Sequence, residues 1–406
     1  MENQKQPSVL GGACIIAGVC VGAGMLALPS AGSGAWTIWS SLVLILTMIV
    51  MTLSGWLLLE VYKNYDLRAS FSTVTREILG NGVNIINNLA VYFVGGILLY
   101  AYITTLGGIF SAMFGVSSQF ASLVSCVLFG GFVWHSTRAV DRISVLLIVL
   151  MVVTFVFSIF GLTANINLAM LFDSQNTNAS YTPYVMMLIP VALTSFGYHH
   201  SVTSMRAYYG NEKTAAKVIV YGMLMALGIY LLWIWSIFGN LPRNNFAPVI
   251  AKDGDVHVLL QTLGGVLASE SVQKAIDSFA LAAVLSSFIG VGLGLFDFLA
   301  DFLKLKDDRL GRSKTWLCTF LPPLVLSLIA PFGFVQAIGY AGAVATIWTC
   351  IVPALLVYIV RRKNPQQQGF KVGGGVFVIG LVLCFGVLTA VFHFMNMAGM
   401  LPVFKG

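Results

Sequence analysis

Long apolar segments separated by short polar ones recur along the whole chain. A helix needs about 20 mostly apolar residues to cross the roughly 30 Å hydrocarbon core of a bilayer, and eleven segments approach or exceed that length. We therefore predict an all-α polytopic membrane protein, folded as a single transmembrane domain over 1–406. The predicted spans are 9–32, 36–60, 84–112, 119–137, 143–163, 183–207, 215–239, 273–302, 314–331, 335–360 and 372–396.

Lysine and arginine are distributed unevenly between the connecting loops. With the N-terminus in the cytoplasm, the loops on that side together with Lys5 hold 18 of the 22 Lys and Arg residues. Cytoplasmic loops of membrane proteins carry such an excess. The net charge of +7 then reflects orientation and contact with anionic lipids, so we expect no nucleic-acid partner. The cytoplasmic loops would be 61–83, 138–142, 206–217, 303–314 and 361–371.

Composition agrees with this class. The chain is 58% hydrophobic and only 9% charged, whereas about 25% of the residues in a typical soluble domain are charged. Asp297 and Asp301 have the spacing of a metal–diphosphate motif, but a second acidic cluster that could hold the metal is missing. A membrane-embedded enzyme is therefore a remote alternative, and we predict no cofactor.

The first span is interrupted by small residues and a proline. Gly18, Gly22, Gly24 and Pro29 lie within it. Glycines spaced by four residues can form a helix-packing face. Alternatively, the helix can unwind here and offer its free N–H and C=O groups to a ligand, because irregular backbone is tolerated at membrane depth where it lines a cavity. This span alone does not separate the two interpretations.

The sixth span contains polar residues that are costly in hydrocarbon. Its stretch from Thr194 to Ser201 includes Gly197 and the adjacent His199 and His200, and Pro190 lies before it. Ionisable groups inside a span usually face a cavity and mark a substrate or ion path. The alternative is that the span ends early and the histidines lie in the headgroup region.

Two interrupted spans in corresponding positions of two halves indicate a transporter built from inverted repeats. The first and sixth spans are both broken near their middles. We therefore predict a five-plus-five inverted repeat, with an additional helix at the C-terminal end. Repeat one would cover about 9–163, repeat two about 183–360 and the additional helix about 372–396.

Other polar positions lie inside the third and eighth spans. Tyr100 is near the middle of the third, where a pocket residue and an interfacial residue are equally compatible with the sequence. In the eighth, Ser286, Asp297 and Asp301 fall within about 60° of one another on a helix. Such a stripe is typical of an ion or proton path. The alternative is that the carboxylates lie at the inner interface, paired with Lys304 or neighbouring arginines.

These segments together resemble the hydroxy and aromatic amino acid permease family of bacterial inner membranes, and most of all its tryptophan permeases. The resemblance covers nearly the whole chain, in order. It is carried by Gly11 to Gly18, Gly22-Ala23-Gly24-Met25 with Pro29, Ser33 to Trp36, Tyr100 to Ile103, Ser195 to His199, Tyr208-Tyr209-Gly210, Gly294 to Asp301 and Ala337 to Gly342.

The resemblance implies a leucine-transporter-like fold of the amino acid–polyamine–organocation superfamily. It also implies proton-driven uptake of an aromatic amino acid across the inner membrane, with the C-terminus in the periplasm. We predict import of tryptophan by a monomer. A tyrosine-preferring or sodium-coupled symporter is the nearest alternative.

The resemblance also suggests roles for individual residues. Gly22, Ala23 and Gly24 would hold the amino and carboxylate groups of the substrate. The aromatic ring would be bound at the second break, with His199 as the proton-responsive group because imidazole titrates nearest physiological pH, and Asp297 as the second candidate. In a sodium-coupled version, Ser286 and Ser287 would coordinate the ion. The residues expected around the ring are Tyr100, Phe196, Gly197, Tyr198, His199 and Tyr340.

Two positions beside this motif differ from the family pattern. His200 stands where a glycine is usual, and Thr203 stands where tryptophan permeases tend to have a proline. Both are next to the predicted site, so the choice between tryptophan and tyrosine stays open.

Overall fold

The computed structural model describes residues 8–67, 69–267, 269–331, 333–364, 366 and 368–406, with the side chains of all of these except 137–139. All regular secondary structure in these residues is helical. The helices are α1 Val9–Cys20, α2 Ala27–Gly32, α3 Trp36–Tyr62, α4 Phe71–Leu79, α5 Asn81–Phe114, α6 Ser118–His135, α7 Thr137–Thr163, α8 Leu168–Leu171, α9 Val185–Ser195, α10 Val202–Tyr209, α11 Glu212–Phe238, α12 Ala247–Ile250, α13 Val256–Gly264, α14 Glu270–Phe302, α15 Arg309–Ile329, α16 Phe334–Thr346, α17 Val352–Lys363 and α18 Gly375–Met397.

Helices occur at each of the eleven predicted ranges, and two of the ranges are broken. The first contains α1 and α2, joined by a 3-10 turn over Ala23–Leu26, and the two helices are bent by 56°. The sixth contains α9 and α10, separated by 196–201. The prediction that these two segments are interrupted is confirmed.

Length and apolar content identify eight of the described helices as able to cross a membrane: α3, α5, α6, α7, α11, α14, α16 with α17, and α18. The bent pair α1 and α2 makes a ninth if it is one span. The protein is therefore a polytopic helical membrane protein.

Helix starts follow the side chains that can cap them. Ser8, Asn211 and Asp308 each accept a hydrogen bond from a backbone N–H in the first turn of α1, α11 and α15. Such caps satisfy donors that have no partner inside the helix. At the other end, Gly210 takes the left-handed conformation that ends α10, as glycine commonly does.

The tenth predicted range contains a π-helical turn over Ile347–Ile351 between α16 and α17. Pro353 has no N–H, so it cannot bond to the carbonyl of Thr349 four residues earlier. The Ser54 hydroxyl of α3 donates to that carbonyl instead. This exchange fixes α17 against α3.

The two broken segments lie inside the bundle. α1 packs on α11, and α9 packs on α2, α3, α16 and α18. α14 runs beside the 3-10 turn of the first break and also contacts α5 and α7. The connection at 240–272 contains the short helices α12 and α13. The backbone irregularities are thus enclosed by helices, which is where membrane proteins tolerate them.

Candidate functional site

The first break covers 21–26 and turns the chain sharply. The last backbone bond of α1 runs from the Val21 N–H to the Ala17 carbonyl, and Gly22 is then fully extended (φ −163°, ψ −153°). The 3-10 turn begins at Ala23, and the residue before it, Gly22, has no side chain that could cap it. The first amides of this turn are therefore a place where an anion can bind. Of the two interpretations of this span, the structure favours an unwound segment over a continuous packing helix.

The second break covers 196–201. The Phe196 N–H still bonds back to α9, and the Gly197 N–H bonds to the Thr194 carbonyl. The chain resumes in a 3-10 turn over His199–Ser201, whose start at Tyr198 likewise has no side-chain cap among the described residues. A methyl group at Gly197 would lie 3.0 Å from the Thr194 carbonyl oxygen, so the turn has little room for a side chain.

The two breaks contact each other directly. The Ser195 hydroxyl at the end of α9 lies 3.3 Å from the Gly24 carbonyl oxygen and 3.0 Å from the Val191 carbonyl oxygen. The Tyr230 hydroxyl of α11 lies 2.6 Å from the carbonyl oxygen of Cys20, the last residue of α1, and 2.5 Å from that of Ser195. One tyrosine therefore contacts the C-terminal ends of α1 and α9, the two half-helices that precede the breaks.

α14 contributes Ser287 to the first break. Its hydroxyl accepts a hydrogen bond from the Ala23 N–H at 2.9 Å, and a methyl group at Gly22 would lie 2.8 Å from the same oxygen. The Tyr102 side chain of α5 interacts with this serine too. Ser286 instead donates within its own helix, to the Ala283 carbonyl. Of the two adjacent serines, only Ser287 lies at the break.

His199 is buried in the second break. It is 5% exposed, and neither ring nitrogen has a hydrogen-bond partner among the described residues. Its ring lies 4.8 Å from that of Tyr198. Buried polar groups are nearly always paired, so an orphaned imidazole requires an explanation. The neighbouring His200 is exposed.

The aromatic residues beside His199 point in different directions. Phe196 is fully buried with its ring 5.0 Å from that of Tyr230, in an edge-on arrangement. The Tyr198 hydroxyl reaches α3, where it donates to the Met51 carbonyl at 3.0 Å. Gly55 makes this possible, because a methyl group there would collide with the hydroxyl. Phe196 thus packs on Tyr230, the residue that contacts both helix ends, and Tyr198 links the second break to α3.

Two other predicted residues, Tyr100 and Tyr340, make contacts with other helices. Tyr100 donates from α5 to the Ala330 carbonyl, at the end of α15, at 3.0 Å. The Tyr340 ring packs 4.6 Å from that of His393 in α18. On α16, Gly342 contacts α9 at Pro190, and Tyr340 lies about 160° around the helix from it.

Asp297 lies near the C-terminal end of α14. It follows Ser287 by ten residues, which is about 15 Å along a helix. It lines a cavity of about 550 Å³ together with Asp301, Lys304, Arg312 and Asp307, among others. The structure therefore separates Asp297 from Ser287, and places it among charged residues near the end of α14.

Sequence reasoning missed Tyr230 and His393. Both are buried in long apolar helices. Tyr230 carries the same signal that drew attention to Tyr100, a hydroxyl near the middle of an apolar span. Nothing in the sequence indicated which of these tyrosines faces a break.

The geometry brings opposite partial charges to one place. The carbonyl ends of α1 and α9 are the negative ends of their helix dipoles, and the uncapped amides of the two 3-10 turns are positive. An ammonium group can bind the first and a carboxylate the second. In the described part of the chain, no group of three or more His, Cys, Asp or Glu residues could hold a metal ion. The arrangement suits a zwitterion with an apolar or aromatic side chain.

Comparison with known families and proteins extends over the whole length of the chain. A model of the tryptophan/tyrosine permease family matches residues 5–393. The tryptophan-specific transport protein of Haemophilus influenzae is 48% identical over 404 residues, which cover 96% of each chain. The low affinity tryptophan permease of Escherichia coli K12 is 38% identical and covers 99% of each. The tyrosine-specific transport system 1 of Haemophilus influenzae is 31% identical, covering 98% of this chain and 99% of that protein.

A solved structure has a similar fold at low sequence identity. The crystal structure of a mutant manganese transporter of Eremococcus coleocola aligns with a TM-score of 0.62 and 13% identity, covering 97% of this chain and 88% of that one. The two chains thus share a membrane-transporter fold.

Proposed function

Because the chain belongs to the tryptophan/tyrosine permease family, it is a transporter of an aromatic amino acid, and we propose that it imports L-tryptophan in symport with a proton. The family and the relatives are permeases, which sets aside the membrane-embedded enzyme. The relatives named for tryptophan include those at 48% and 44% identity, and the tyrosine permeases match at 35% and 31%. This order supports tryptophan as the preferred substrate.

The observation that carries the proposal is the direct contact between the two breaks. We propose that the segment Gly22, Ala23 and Gly24 binds the substrate carboxylate through amides other than that of Ala23, which donates to Ser287, since helix N-termini favour anions. The ammonium group would bind the carbonyl ends of α1 and α9. The indole would lie beside Phe196 and His199. Tyr198 and Gly197 would act by holding the second break in shape.

Tyr100 and Tyr340 have a different place in this proposal. The Tyr100 hydroxyl donates to the Ala330 carbonyl, and the Tyr340 ring packs on that of His393. We therefore assign them to the helix packing around the site, where they would set the positions of α5 and α16.

We propose His199 as the group that carries the proton. The imidazole of His199 is buried and lacks hydrogen-bond partners in the described structure, and imidazole is the side chain that titrates nearest physiological pH. Asp297 is the second candidate. The sodium-coupled alternative would use Ser287, whose hydroxyl already touches the first break, with Ser286 one residue away.

The same proposal includes the topology. The pair α9 and α10 would be one broken span and α15 another span, and with the nine above they would make eleven. Spans one to five and six to ten would then form the inverted repeats, with α18 as the additional helix. We further propose a monomer in the bacterial inner membrane, with the N-terminus in the cytoplasm, the C-terminus in the periplasm and no cofactor. The distribution of Lys and Arg supports this orientation.

A substrate-competition panel tests the choice of amino acid. Purified protein in liposomes loaded with unlabelled tryptophan should exchange it for labelled tryptophan added outside. Competition should be strongest with tryptophan, weaker with tyrosine and phenylalanine, and weakest with serine and with indole, which lacks the ammonium and carboxylate groups. Tyrosine competing at a lower concentration than tryptophan would instead support the tyrosine-preferring alternative.

A further inference from the structure

The Tyr230 hydroxyl meets the ends of both half-helices. It lies 2.6 Å from the Cys20 carbonyl oxygen and 2.5 Å from the Ser195 carbonyl oxygen, and the residue is fully buried. Tyr230 belongs to α11, a continuous helix on which α1 packs along its length. The continuous helix α11 therefore contacts the ends of both α1 and α9 through the Tyr230 hydroxyl oxygen.

A phenol has one proton, and a carbonyl can only accept. The hydroxyl can therefore bond fully to one of the two carbonyls at a time, or share its proton between them. Without this hydroxyl, two carbonyl oxygens that are negative ends of helix dipoles would face each other across a buried space. The proton of Tyr230 offsets the repulsion between them.

A second link joins the same two breaks. The Ser195 hydroxyl lies 3.3 Å from the Gly24 carbonyl oxygen in the first break, and it shares its one proton with the Val191 carbonyl oxygen at 3.0 Å. The ring of Tyr230 also packs edge-on against Phe196, at 5.0 Å. The backbone of both breaks and the aromatic side chain between them therefore depend on Tyr230 and Ser195.

We propose that Tyr230, assisted by the Ser195 hydroxyl, is a positioning residue that holds the ends of α1 and α9 together before the substrate binds. Preorganised sites bind more tightly because less ordering is required at the moment of binding. The hydroxyl acts through the two carbonyls and through Phe196. This inference rests on the proposed function in one respect, namely that the substrate binds between the two breaks.

The test is Tyr230→Phe, which keeps the ring against Phe196 and removes only the hydroxyl. We expect the KM for tryptophan exchange to rise about threefold to tenfold, as for the loss of one buried hydrogen bond. The maximal rate per folded transporter should change less than twofold. A purely structural role would lower the amount of folded protein and leave the KM of the remainder unchanged.

Tyr92→Phe is the matched control. The Tyr92 hydroxyl donates from α5 to the Cys318 carbonyl of α15 at 3.3 Å, so it also links two helices through a carbonyl, but away from both breaks. Its removal should leave the KM within twofold of the wild-type value. A KM for Tyr230→Phe that is equally unchanged would overturn the proposal.

Ser195→Ala keeps the proposal testable if Tyr230→Phe does not fold. It removes the second link and leaves the Ser195 carbonyl in place, so the KM should rise at least twofold; an unchanged KM would count against the proposal. Exchange by the wild-type protein tests the proposed substrate separately from the proposed role of Tyr230. If the wild type exchanges another amino acid and not tryptophan, the proposed substrate is wrong, and the variants are then compared with the amino acid that is exchanged.

Discussion

At the scale of single residues, the two adjacent histidines have different environments. His199 is buried without a partner for either ring nitrogen in the described structure, whereas His200 is exposed. Burying a polar group without a hydrogen bond costs about 1–3 kcal/mol. A buried, unpaired imidazole in the second break fits a function in the transport cycle better than one in packing.

Replacing His199 with Asn or Ala tests this role. We expect concentrative uptake of tryptophan to be lost while expression is unchanged, because neither side chain can take up a proton near neutral pH. His200→Asn is the control, and it should retain accumulation. The measurement is labelled tryptophan inside vesicles under a pH gradient.

Accumulation that persists in His199→Asn would show that the proton is carried elsewhere. Asp297 is then the next group to replace, with Asn. Its position beside Arg312 in the cavity at the end of α14 makes it independent of the break contacts.

Residue roles were only partly predictable from sequence. The sequence indicated that polar groups at Gly22 to Gly24 and at His199 lie inside spans, since costly groups in hydrocarbon are visible as interruptions of an apolar run. The sequence could not indicate which neighbouring helix each side chain points to. Tyr198 reaches α3 because Gly55 leaves room for its hydroxyl, and that depends on contact between helices far apart in the chain.

At the scale of elements, the first span could be a continuous helix with a glycine packing face or an unwound segment. Its glycines have different surroundings. A methyl group at Gly22 would meet the Ser287 hydroxyl, while one at Gly18 would have nothing within 4 Å. α14 therefore approaches the first span at the break around Gly22, and not along a continuous face of glycines.

Gly22→Ala with Gly18→Ala as its control tests the break. The new methyl group at 22 would lie 2.8 Å from Ser287 Oγ, so it should displace the serine from the Ala23 amide. We expect the KM for tryptophan to rise about tenfold, since a hydrogen bond is lost and the turn shifts. Gly18→Ala should behave as the wild type. Equal KM values for the two variants would contradict a role for this break in binding.

The extent of the elements was largely predictable, because apolar length reports membrane spans directly. The π-turn at Ile347–Ile351 was not. It depends on Ser54 supplying a hydrogen bond to the carbonyl that Pro353 releases. Such compensation between helices is invisible in the local pattern.

At the scale of the whole molecule, arginines tie both ends of the broken segments. Arg243 donates to the carbonyls of Ser33 and Gly34 after α2, at 3.2 and 2.7 Å, and to that of Ser180 before α9, at 3.0 Å. Burial lowers the pKa of Arg243, and Asp173 nearby opposes that shift. In the last turn of α10, Arg206 donates to the backbone carbonyls of Tyr65 and Asp66, in the loop after α3.

Arg243→Lys should destabilise the protein. Lysine keeps the charge but lacks the planar fork that spans several carbonyls. We expect a loss of about 2 kcal/mol, measured as a lower melting temperature of the purified protein. Arg309→Lys is the control, because Arg309 is exposed at the start of α15. A melting temperature equal to that of the wild type would show that these contacts do not hold the broken segments.

The alternation of apolar spans with polar loops and the distribution of charge between the loops can both be read from the sequence, and the orientation that they indicate stays a prediction. The ties made by Arg243 and Tyr230 could not be read from it, since their partners are backbone carbonyls, which every residue has. Tyr230 connects the ends of α1 and α9 at the two breaks, and Arg243 connects the chain after α2 with the chain before α9.

Proton-driven accumulation is the central claim, and one measurement tests it most directly. Purified protein in liposomes without sodium is exposed to a pH gradient, acidic outside, with labelled tryptophan in the outer medium. We predict that tryptophan accumulates inside above its outer concentration and leaves when a protonophore collapses the gradient. No accumulation under the pH gradient, together with accumulation under a sodium gradient, would contradict proton symport.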